Sequence, residues 1–274
     1  MNIDLHTHTT ASDGTYSPEK LVLAAKKNKV DVLSVTDHDT MDALPVVQAL
    51  CAEHKIRWIS GIEISCHCLG EEVHILAYGL DPQSEKLKVF LQEQLQDRLE
   101  RLEAMRLKLE KTGIYLSAED VQRQIHSPSA AGRPHIARAL VYKGYSSSLH
   151  DAFQHYLGFE KPGYVPRKEL PTEKVLDLIR NLGGISVLAH PGHLKNQEIL
   201  ALLFSQGLQG IEAFHPLHKA WQKTHYAKWA EERNLCVTGG SDFHGDKMKG
   251  HGALGSVKMP EKYLEKLLES LRSA

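Results

Sequence analysis

The sequence predicts an α/β protein whose alternating strands and helices are interrupted by one helical insertion. Short apolar segments typical of buried strands alternate with helical segments over residues 1–81 and again over 164–274. Residues 82–163 show helical patterns and no strand pattern. Because repeated β-α units are typical of a largely parallel sheet or a barrel, we expect one such domain from 1–81 with 164–274 and a helical domain at 82–163.

Capping residues and changes in periodicity set the boundaries of the predicted elements. Ser17 followed by Pro18 is typical of a helix start, because Ser caps free N–H groups and Pro suits the first helical position. A long amphipathic helix is expected to open the insertion and to end at Gly113. Strands are expected at 2–6, 31–36, 57–64, 72–78, 185–189, 210–214 and 235–239, and further helices at 41–54, 84–111, from a cap at Thr172 to Gly183, and at 260–271.

Composition and charge exclude several classes of protein. The 274 residues include 33 Lys and Arg against 34 Asp and Glu, so the net charge of −1 argues against bulk electrostatic binding to nucleic acid. No segment is apolar over the length that a bilayer requires, and MNIDLHTHTT lacks the pattern of a secretory signal. The four Cys have no disulfide-framework spacing, which indicates reduced thiols and a cytoplasmic location.

The 17 histidines are the unusual feature of the composition, and many of them follow predicted strands. Side chains at the carboxyl ends of parallel strands converge on the active site of β/α folds. The residues at such positions are His6, His8, Asp13, Asp37, His38, Asp39, Glu63, His190, His215, Asp242 and His244, with His74 at the start of a strand. The histidines expected to be scattered over the surface are His54, His126, His150, His155, His225 and His251.

The pattern of strand-end residues as a whole predicts a metal centre. His6 and His8 are two residues apart on a strand and therefore face the same side, and Asp242 with His244 repeats this spacing. A single buried His is as often a core residue as a ligand. Burying so many imidazoles and carboxylates together without a cation would be very costly in desolvation, so we expect divalent ions among them.

These motifs resemble those of the polymerase and histidinol phosphatase family, usually shortened to PHP. The corresponding segments are DLHTHT with SDG, VTDHDT, AHPG and GGSDFH, and the similarity spans the whole chain. In the insertion, AGRPHIARAL (131–140) and KPGYVP (161–166) resemble the subgroup containing bacterial nucleoside 3′,5′-bisphosphate phosphatases and a related 5′-to-3′ oligoribonuclease. The resemblance implies a distorted (β/α)7 barrel with a helical, substrate-capping insertion.

The resemblance also implies the ligands of two to three divalent ions. His6, His8, Glu63 and Asp242 would hold the first ion; Glu63, His74 and His190 the second; Asp13, His38 and His244 the third. Many relatives have a His where this chain has Asp13. The added negative charge favours a harder ion such as Mn²⁺, with Zn²⁺ and Fe²⁺ as alternatives.

The reaction implied by the resemblance is hydrolysis of a phosphate ester, for which bound ions activate water and neutralise phosphate oxygens. His215 is a candidate proton donor to the leaving oxygen, and the alternative is a structural His that supports the ligands. Asp37 is a candidate for orienting a ligand or moving protons.

Three residues of the insertion are candidate phosphate contacts. Arg133 precedes Pro134, which is predicted as the first residue of a helix, and a helix start favours an anion. Arg133 would add a bidentate donor and His135 a further donor for a second, non-reacting phosphate, with Lys161 as a weaker candidate. The alternative is that Arg133 is a solvated residue at a helix start.

Three functions remain open from the sequence. The first is a phosphatase that removes the 3′-phosphate of nucleoside 3′,5′-bisphosphates and also acts on short 5′-phosphorylated RNA. The second is a phosphatase of another small monoester, such as histidinol phosphate. The third is a metal-binding module without activity. The complete ligand sets disfavour the third, and Arg133 with His135 favours the first, so the expected partner is a small phosphorylated nucleotide or a short oligoribonucleotide.

Overall fold

The computed structural model describes residues 1–125, 131–246 and 251–274. The chain divides into two compact units, one formed by Met1–Lys88 with Glu169–Ala274 and the other by Val89–Lys168. None of the helices in the described ranges combines the length and the apolar character needed to cross a lipid bilayer.

The first unit contains eight strands among the described residues. They are β1 (Ile3–Asp4), β2 (Val32–Leu33), β3 (Arg57–Trp58), β4 (Gly61–Cys68), β5 (Glu71–Tyr78), β6 (Ile185–Leu188), β7 (Gly210–Phe214) and β8 (Cys236–Gly239). The helices of this unit are α1 (Pro18–Lys27), α2 (Leu44–His54), α7 (Thr172–Asn181), α8 (Glu198–Ser205), α9 (Ala220–Glu231) and α10 (Glu261–Ser273), with a short 3₁₀ turn at Pro191–His193. The predicted α/β class is confirmed.

The strands form two sheets, with the orders β1-β2-β3 and β4-β5-β6-β7-β8. The first sheet is parallel, but β5 is antiparallel to both β4 and β6, so the expectation of a largely parallel sheet was only partly right. The cause is the two-residue turn between β4 and β5, where Leu69 and Gly70 both have positive φ. Such a turn joins neighbouring strands as a hairpin and leaves no crossover helix.

Backbone pairing beyond the strand ends links the two sheets. Thr7 pairs with Phe243 after β1 and β8, and His38 pairs with Glu63. Within the described ranges the strand pairing does not close into a single barrel. The buried Asp4 carboxylate also ties β1 to the segment after β8, because it accepts hydrogen bonds from Ser241 N at 2.8 Å, Ser241 Oγ at 2.6 Å and Gly255 N at 2.7 Å.

Two helix starts in the first unit were predicted from a capping side chain, and one of them is confirmed. Ser17 caps α1, where its side chain accepts a hydrogen bond from Lys20 N. Thr172 was predicted as the cap of α7, but it is the first helical residue and Pro171 holds the cap position. The Thr172 hydroxyl is used elsewhere, since it donates to Gln206 Oε1 at 2.9 Å.

The second unit is helical among its described residues. It contains most of α3 (Glu85–Glu110), then α4 (Ala118–Gln122), α5 (Arg133–Tyr142), α6 (Leu149–Ala152) and a π-helical turn at Phe153–Leu157. The apolar face of α3 contributes Leu102, Met105 and Leu109 to a buried cluster that includes Ile136 and Leu140 of α5. This unit therefore has its own core.

The start of α5 differs by one residue from the sequence prediction. Gly132 is the cap and Arg133 is the first helical residue, so Pro134 is the second residue and not the first. The His135 ring closes this helix start, because its Nδ1 lies 3.1 Å from Gly132 N.

Candidate metal centre

Nine residues predicted as metal ligands lie in the first unit, and each of them contacts at least one other member of the set. They are supplied by the segments after β1, β2, β6 and β8 and by the hairpin strands β4 and β5. These residues are His6, His8, Asp13, His38, Glu63, His74, His190, Asp242 and His244. His6, His8 and Glu63 are almost fully buried, whereas the Asp13 side chain is half exposed.

The tightest group consists of His6, His8, Glu63 and Asp242. The Nε2 atoms of His6 and His8 are 3.1 Å apart, and each lies 3.0–3.1 Å from Glu63 Oε2 and 3.3 Å from Asp242 Oδ1. Ligand atoms at about 2.1 Å from one octahedral or tetrahedral ion lie roughly 3.0–3.4 Å from each other. The four atoms therefore have the mutual spacing of a metal site.

The other oxygen of Glu63 faces a different pair of histidines. Oε1 lies 2.9 Å from His74 Nδ1 and 3.1 Å from His190 Nε2. Since Oε2 belongs to the His6 and His8 group, the single carboxylate spans two candidate sites. Ligand atoms of His38, Glu63 and His74 also lie within 4.8 Å of one another, so His38 adjoins this second group.

A third group surrounds Asp13. His244 Nε2 lies 3.2 Å from Asp13 Oδ1, and His38 Nε2 lies 3.9 Å from Asp13 Oδ2. His8 belongs to this group as well, with Nδ1 at 3.8 Å from Asp13 Oδ1. The structure therefore brings together the three residues predicted for a third ion and adds His8 on the side of the first group.

The carboxylates set the protonation of the histidines when no cation is bound. Burial would lower the pKa of His8, but Asp242 and Glu63 raise it to about 10. Burial likewise opposes protonation of His74, and the charge of Glu63 raises its pKa to about 10. For His38, burial dominates and lowers the pKa to about 4. Burial would raise the pKa of Glu63, but the neighbouring histidines hold it well below its usual range.

Several ring nitrogens are already oriented for metal binding. His6 Nδ1 lies 3.0 Å from Glu212 Oε1, and His244 Nδ1 lies 2.9 Å from the Asp242 carbonyl oxygen. A proton on each of these Nδ1 atoms leaves the Nε2 lone pair directed at the carboxylates of the groups. The buried Nδ1 atoms of His8 and His38 have no hydrogen-bond partner within the described ranges. The clustered imidazole nitrogens and carboxylate oxygens are the donor types that bind divalent cations, so the residues present fit a divalent metal centre.

Glu212 is a site residue that the sequence analysis missed. It lies on β7, is fully buried, and uses Oε1 for His6 and Oε2 to accept the backbone N–H of His190 at 2.9 Å. A carboxylate behind a ligating imidazole fixes its tautomer and orientation. The available signal was a single acidic residue inside an otherwise apolar strand, in GIEAF.

Three further histidines lie at the site although the sequence did not indicate them. His251 was expected on the surface, but this was wrong: its Nδ1 lies 3.0 Å from Asp242 Oδ2. His193 is exposed, and its ring stacks on His190 with centroids 4.9 Å apart. His218 holds the turn after His190, because its Nε2 accepts from Gly192 N at 3.0 Å. His126 lies outside the described residues.

The two predicted catalytic residues are both buried. His215 has no exposed surface, and its Nε2 lies 3.4 Å from Asp242 Oδ2. Asp37 accepts hydrogen bonds from Thr9 N and Thr9 Oγ1 at 2.7 Å each and from Ser12 Oγ at 2.6 Å. These contacts tie Asp37 to the loop that carries Asp13. The contact with Asp242 is compatible with both predicted roles of His215, proton donor and structural support, so its role stays a prediction.

A small cavity adjoins the second group. It has a volume of about 210 Å³ and is lined by Glu72, Val73, His74, Leu188, Ala189, His190, His193 and Leu194. The side chain of Glu72 is 44% exposed and gives this cavity an acidic rim. The Glu72 carboxylate lies 3.9 Å from His74 Nε2, so an acidic and a basic group lie side by side in the lining.

The three predicted phosphate contacts lie in the second unit. Arg133 is partly buried, and its guanidinium carbon lies 5.9 Å from the centre of the Phe153 ring. Within the described ranges no hydrogen bond or ion pair of the Arg133 side chain is present. His135 is buried at the start of α5, and Lys161 is exposed. The His135 ring therefore caps the start of α5 through its contact with Gly132 N.

Several known proteins are similar to this chain in sequence or in structure. A 5′-3′ exoribonuclease Rnm from Escherichia coli (strain K12) is 34% identical over 248 residues, which are 88% of this chain and 84% of that protein. A 3′,5′-nucleoside bisphosphate phosphatase from Chromobacterium violaceum is 34% identical over 248 residues, 89% of this chain and 87% of that protein. A protein from Bifidobacterium adolescentis described as a metal-dependent phosphoesterase has a similar structure, with a TM-score of 0.85 and 29% sequence identity. The superposition covers 98% of this chain and 96% of that protein.

The family model described as PHP domain matches residues 4–228, a range that includes seven of the nine predicted ligands. The other two, Asp242 and His244, complete the geometry of the first and third groups. The chain belongs to the PHP domain family.

Proposed function

We propose that this protein is a metal-dependent phosphatase that removes the 3′-phosphate of nucleoside 3′,5′-bisphosphates and also acts on short 5′-phosphorylated RNA. The observation that supports it most is Glu63, whose two oxygens face two separate sets of histidines. This is the arrangement that a pair of bridged divalent ions requires. Two to three ions, with Mn²⁺ preferred, are proposed because the half-exposed Asp13 adds a hard oxygen ligand to the third group.

When bound, the ions would activate water and neutralise the oxygens of the reacting phosphate. The residues of the chain hold and orient them. His6, His8 and Asp242 would hold one ion together with Glu63. His74 and His190 would hold a second ion with the other oxygen of Glu63. Asp13, His38 and His244 would hold a third. Glu212 fixes the tautomer of His6, and Asp37 fixes the loop that carries Asp13.

The substrate assignment is supported by the relatives and by Arg133. Proteins named as a 3′,5′-nucleoside bisphosphate phosphatase and a 5′-3′ exoribonuclease are each 34% identical to this chain over most of its length. A second phosphate distinguishes these substrates from a simple monoester such as histidinol phosphate. Arg133 carries a guanidinium suited to that phosphate, with His135 and Lys161 as weaker candidates.

The architecture implied by the family completes the proposal. We infer that the two sheets correspond to the distorted (β/α)7 barrel, with the pairings of Thr7 with Phe243 and of His38 with Glu63 as support. We also infer that the helical insertion at 82–163 acts as the substrate-binding domain and that the enzyme works in the cytoplasm on a small or short ligand.

Replacing Glu63 by Gln should abolish the paired metal site. A neutral amide cannot balance two cations, so we expect phosphate release to fall by at least about 100-fold and metal content to drop. The measurements are initial rates with a nucleoside 3′,5′-bisphosphate and Mn²⁺, and metal analysis of the same samples. Glu53→Gln, an exposed change on α2, is the matched control. A Glu63→Gln enzyme with near wild-type turnover would remove Glu63 from the reaction.

Metal uptake should release protons at pH 8. His8 and His74 have pKa values of about 10 in the metal-free protein, so both are protonated at this pH and must lose a proton to bind a cation. Against the effect of burial, Glu212 and Glu63 also raise the pKa of the ligand His6 well above its ordinary value, so we expect at least two protons to be released per chain on saturation with Mn²⁺. Calorimetric titrations in two buffers of different ionisation enthalpy give this number. Uptake without proton release would mean that His8 and His74 are not ligands.

Replacing Arg133 by Ala should weaken discrimination for a substrate with two phosphates. A lost charge-assisted hydrogen bond costs about 1.5–3 kcal/mol, which corresponds to roughly 10- to 150-fold in kcat/KM. The loss should occur with a nucleoside 3′,5′-bisphosphate and nearly vanish with a 3′-monophosphate, which has no second phosphate to bind.

The exposed Arg123 in the same unit provides the control substitution, Arg123→Ala, with no expected change on either substrate. Equal losses on both substrates in Arg133→Ala would assign Arg133 to the reacting phosphate or to the fold. No loss on either would leave it as a solvated residue at a helix start.

A further inference from the structure

The two oxygens of the Asp242 carboxylate face different partners. Oδ1 lies 3.3 Å from the Nε2 atoms of both His6 and His8. Oδ2 points to two other histidines, at 3.0 Å from His251 Nδ1 and 3.4 Å from His215 Nε2. Oδ1 is the oxygen that lies close to the His6 and His8 pair, and the contacts of Oδ2 help to fix the orientation of the carboxylate.

The backbone at Asp242 leaves this orientation to side-chain contacts. Asp242 has φ of 50°, in the left-handed region that few residues adopt, and its terminal torsion has only broad preferences. If the Asp242 carboxylate rotated by about 90° around this torsion, neither oxygen would point at an ion held by His6 and His8. Groups that hold Oδ2 therefore determine whether Oδ1 meets His6 and His8.

His251 is anchored well enough to serve this purpose. Its side chain is 26% exposed, and its ring packs on His244 with centroids 4.0 Å apart. The next residue, Gly252, donates its backbone N–H to Ser241 O at 2.7 Å. Ser241 is in turn bound to the buried Asp4 by two hydrogen bonds. The loop residue is thus tied to the same segment that carries Asp242.

We propose that His251 is a positioning residue that, together with His215, holds Oδ2 of Asp242 and so directs Oδ1 to the His6 and His8 pair. This inference rests on the proposed metal-dependent function. The Nδ1–H of His251 donates to Oδ2, while Nε2 of the fully buried His215 lies 3.4 Å from the same oxygen. Groups of this kind behind a ligand typically contribute 10- to 100-fold to metal affinity.

His251 as a direct ligand is the competing reading, because atoms of Asp242, His244 and His251 also lie within 4.8 Å of one another. The contact of Nδ1 with Oδ2, the oxygen turned away from His6 and His8, favours the positioning role. The two readings differ in stoichiometry: a lost ligand empties a site, whereas a lost positioning contact weakens a site that still fills.

The test is Mn²⁺ binding to the full-length protein, followed by the electron paramagnetic resonance signal of free Mn²⁺. His251→Ala should bind its tightest Mn²⁺ about 10- to 100-fold more weakly than wild type, with the same number of ions at saturation. His251→Asn should stay within about threefold of wild type, because the asparagine amide nitrogen lies where histidine has Nδ1. His251→Gln should resemble alanine, since its amide lies one bond further out.

His225→Ala, an exposed change on α9, should bind as wild type does. If the alanine variant does not fold, as judged by thermal unfolding without metal, the Asn and Gln pair carries the test. Unchanged affinity in the Ala and Gln variants, equal losses in Asn and Gln, or one ion fewer at saturation would each overturn the positioning role. A wild-type protein that binds no Mn²⁺ would instead contradict the proposed function.

Discussion

A fully buried carboxylate that faces five histidines, Glu63, is the constraint around which the first unit is arranged. Its Oε2 lies close to the imidazoles of His6, His8 and His38, and its Oε1 lies close to those of His74 and His190. A single carboxylate cannot pair with five imidazoles at once. The pKa values show this imbalance, since His8 and His74 are held protonated while burial keeps His38 neutral. Bound divalent cations would resolve it, because the histidines would give up their protons to bind them.

The antiparallel hairpin explains how Glu63 and His74 meet although neither follows a parallel strand pair. Ser65 of β4 lies opposite His74 of β5, so the side chain two residues before Ser65 is a diagonal neighbour on the same face. The segments that follow β1, β2, β6 and β8 supply the other predicted ligands. Glu212 on β7 contacts both His6 and the backbone of His190, and it therefore links a residue of the first group to a residue of the second.

Local sequence predicted the α/β class and the residues that gather at the site, because alternation of strands and helices and polar residues at strand ends are both local signals. It did not predict the β4–β5 hairpin, since Leu69 in a left-handed conformation is not a typical turn residue. His251 was missed for a different reason. It reaches Asp242 through a loop held by Gly252 and Asp4, and such contacts depend on the tertiary structure. The family resemblance, and not residue spacing, supplied the grouping of ligands into three sites.

The metal content of protein purified without chelators tests the central claim most directly. Mass spectrometric metal analysis, paired with phosphate release from a nucleoside 3′,5′-bisphosphate before and after addition of Mn²⁺, gives both quantities on one sample. The account predicts about two to three equivalents of divalent metal per chain, or restoration of activity by Mn²⁺ where ions were lost. Less than one equivalent, with no activity gained on adding Mn²⁺, would contradict it.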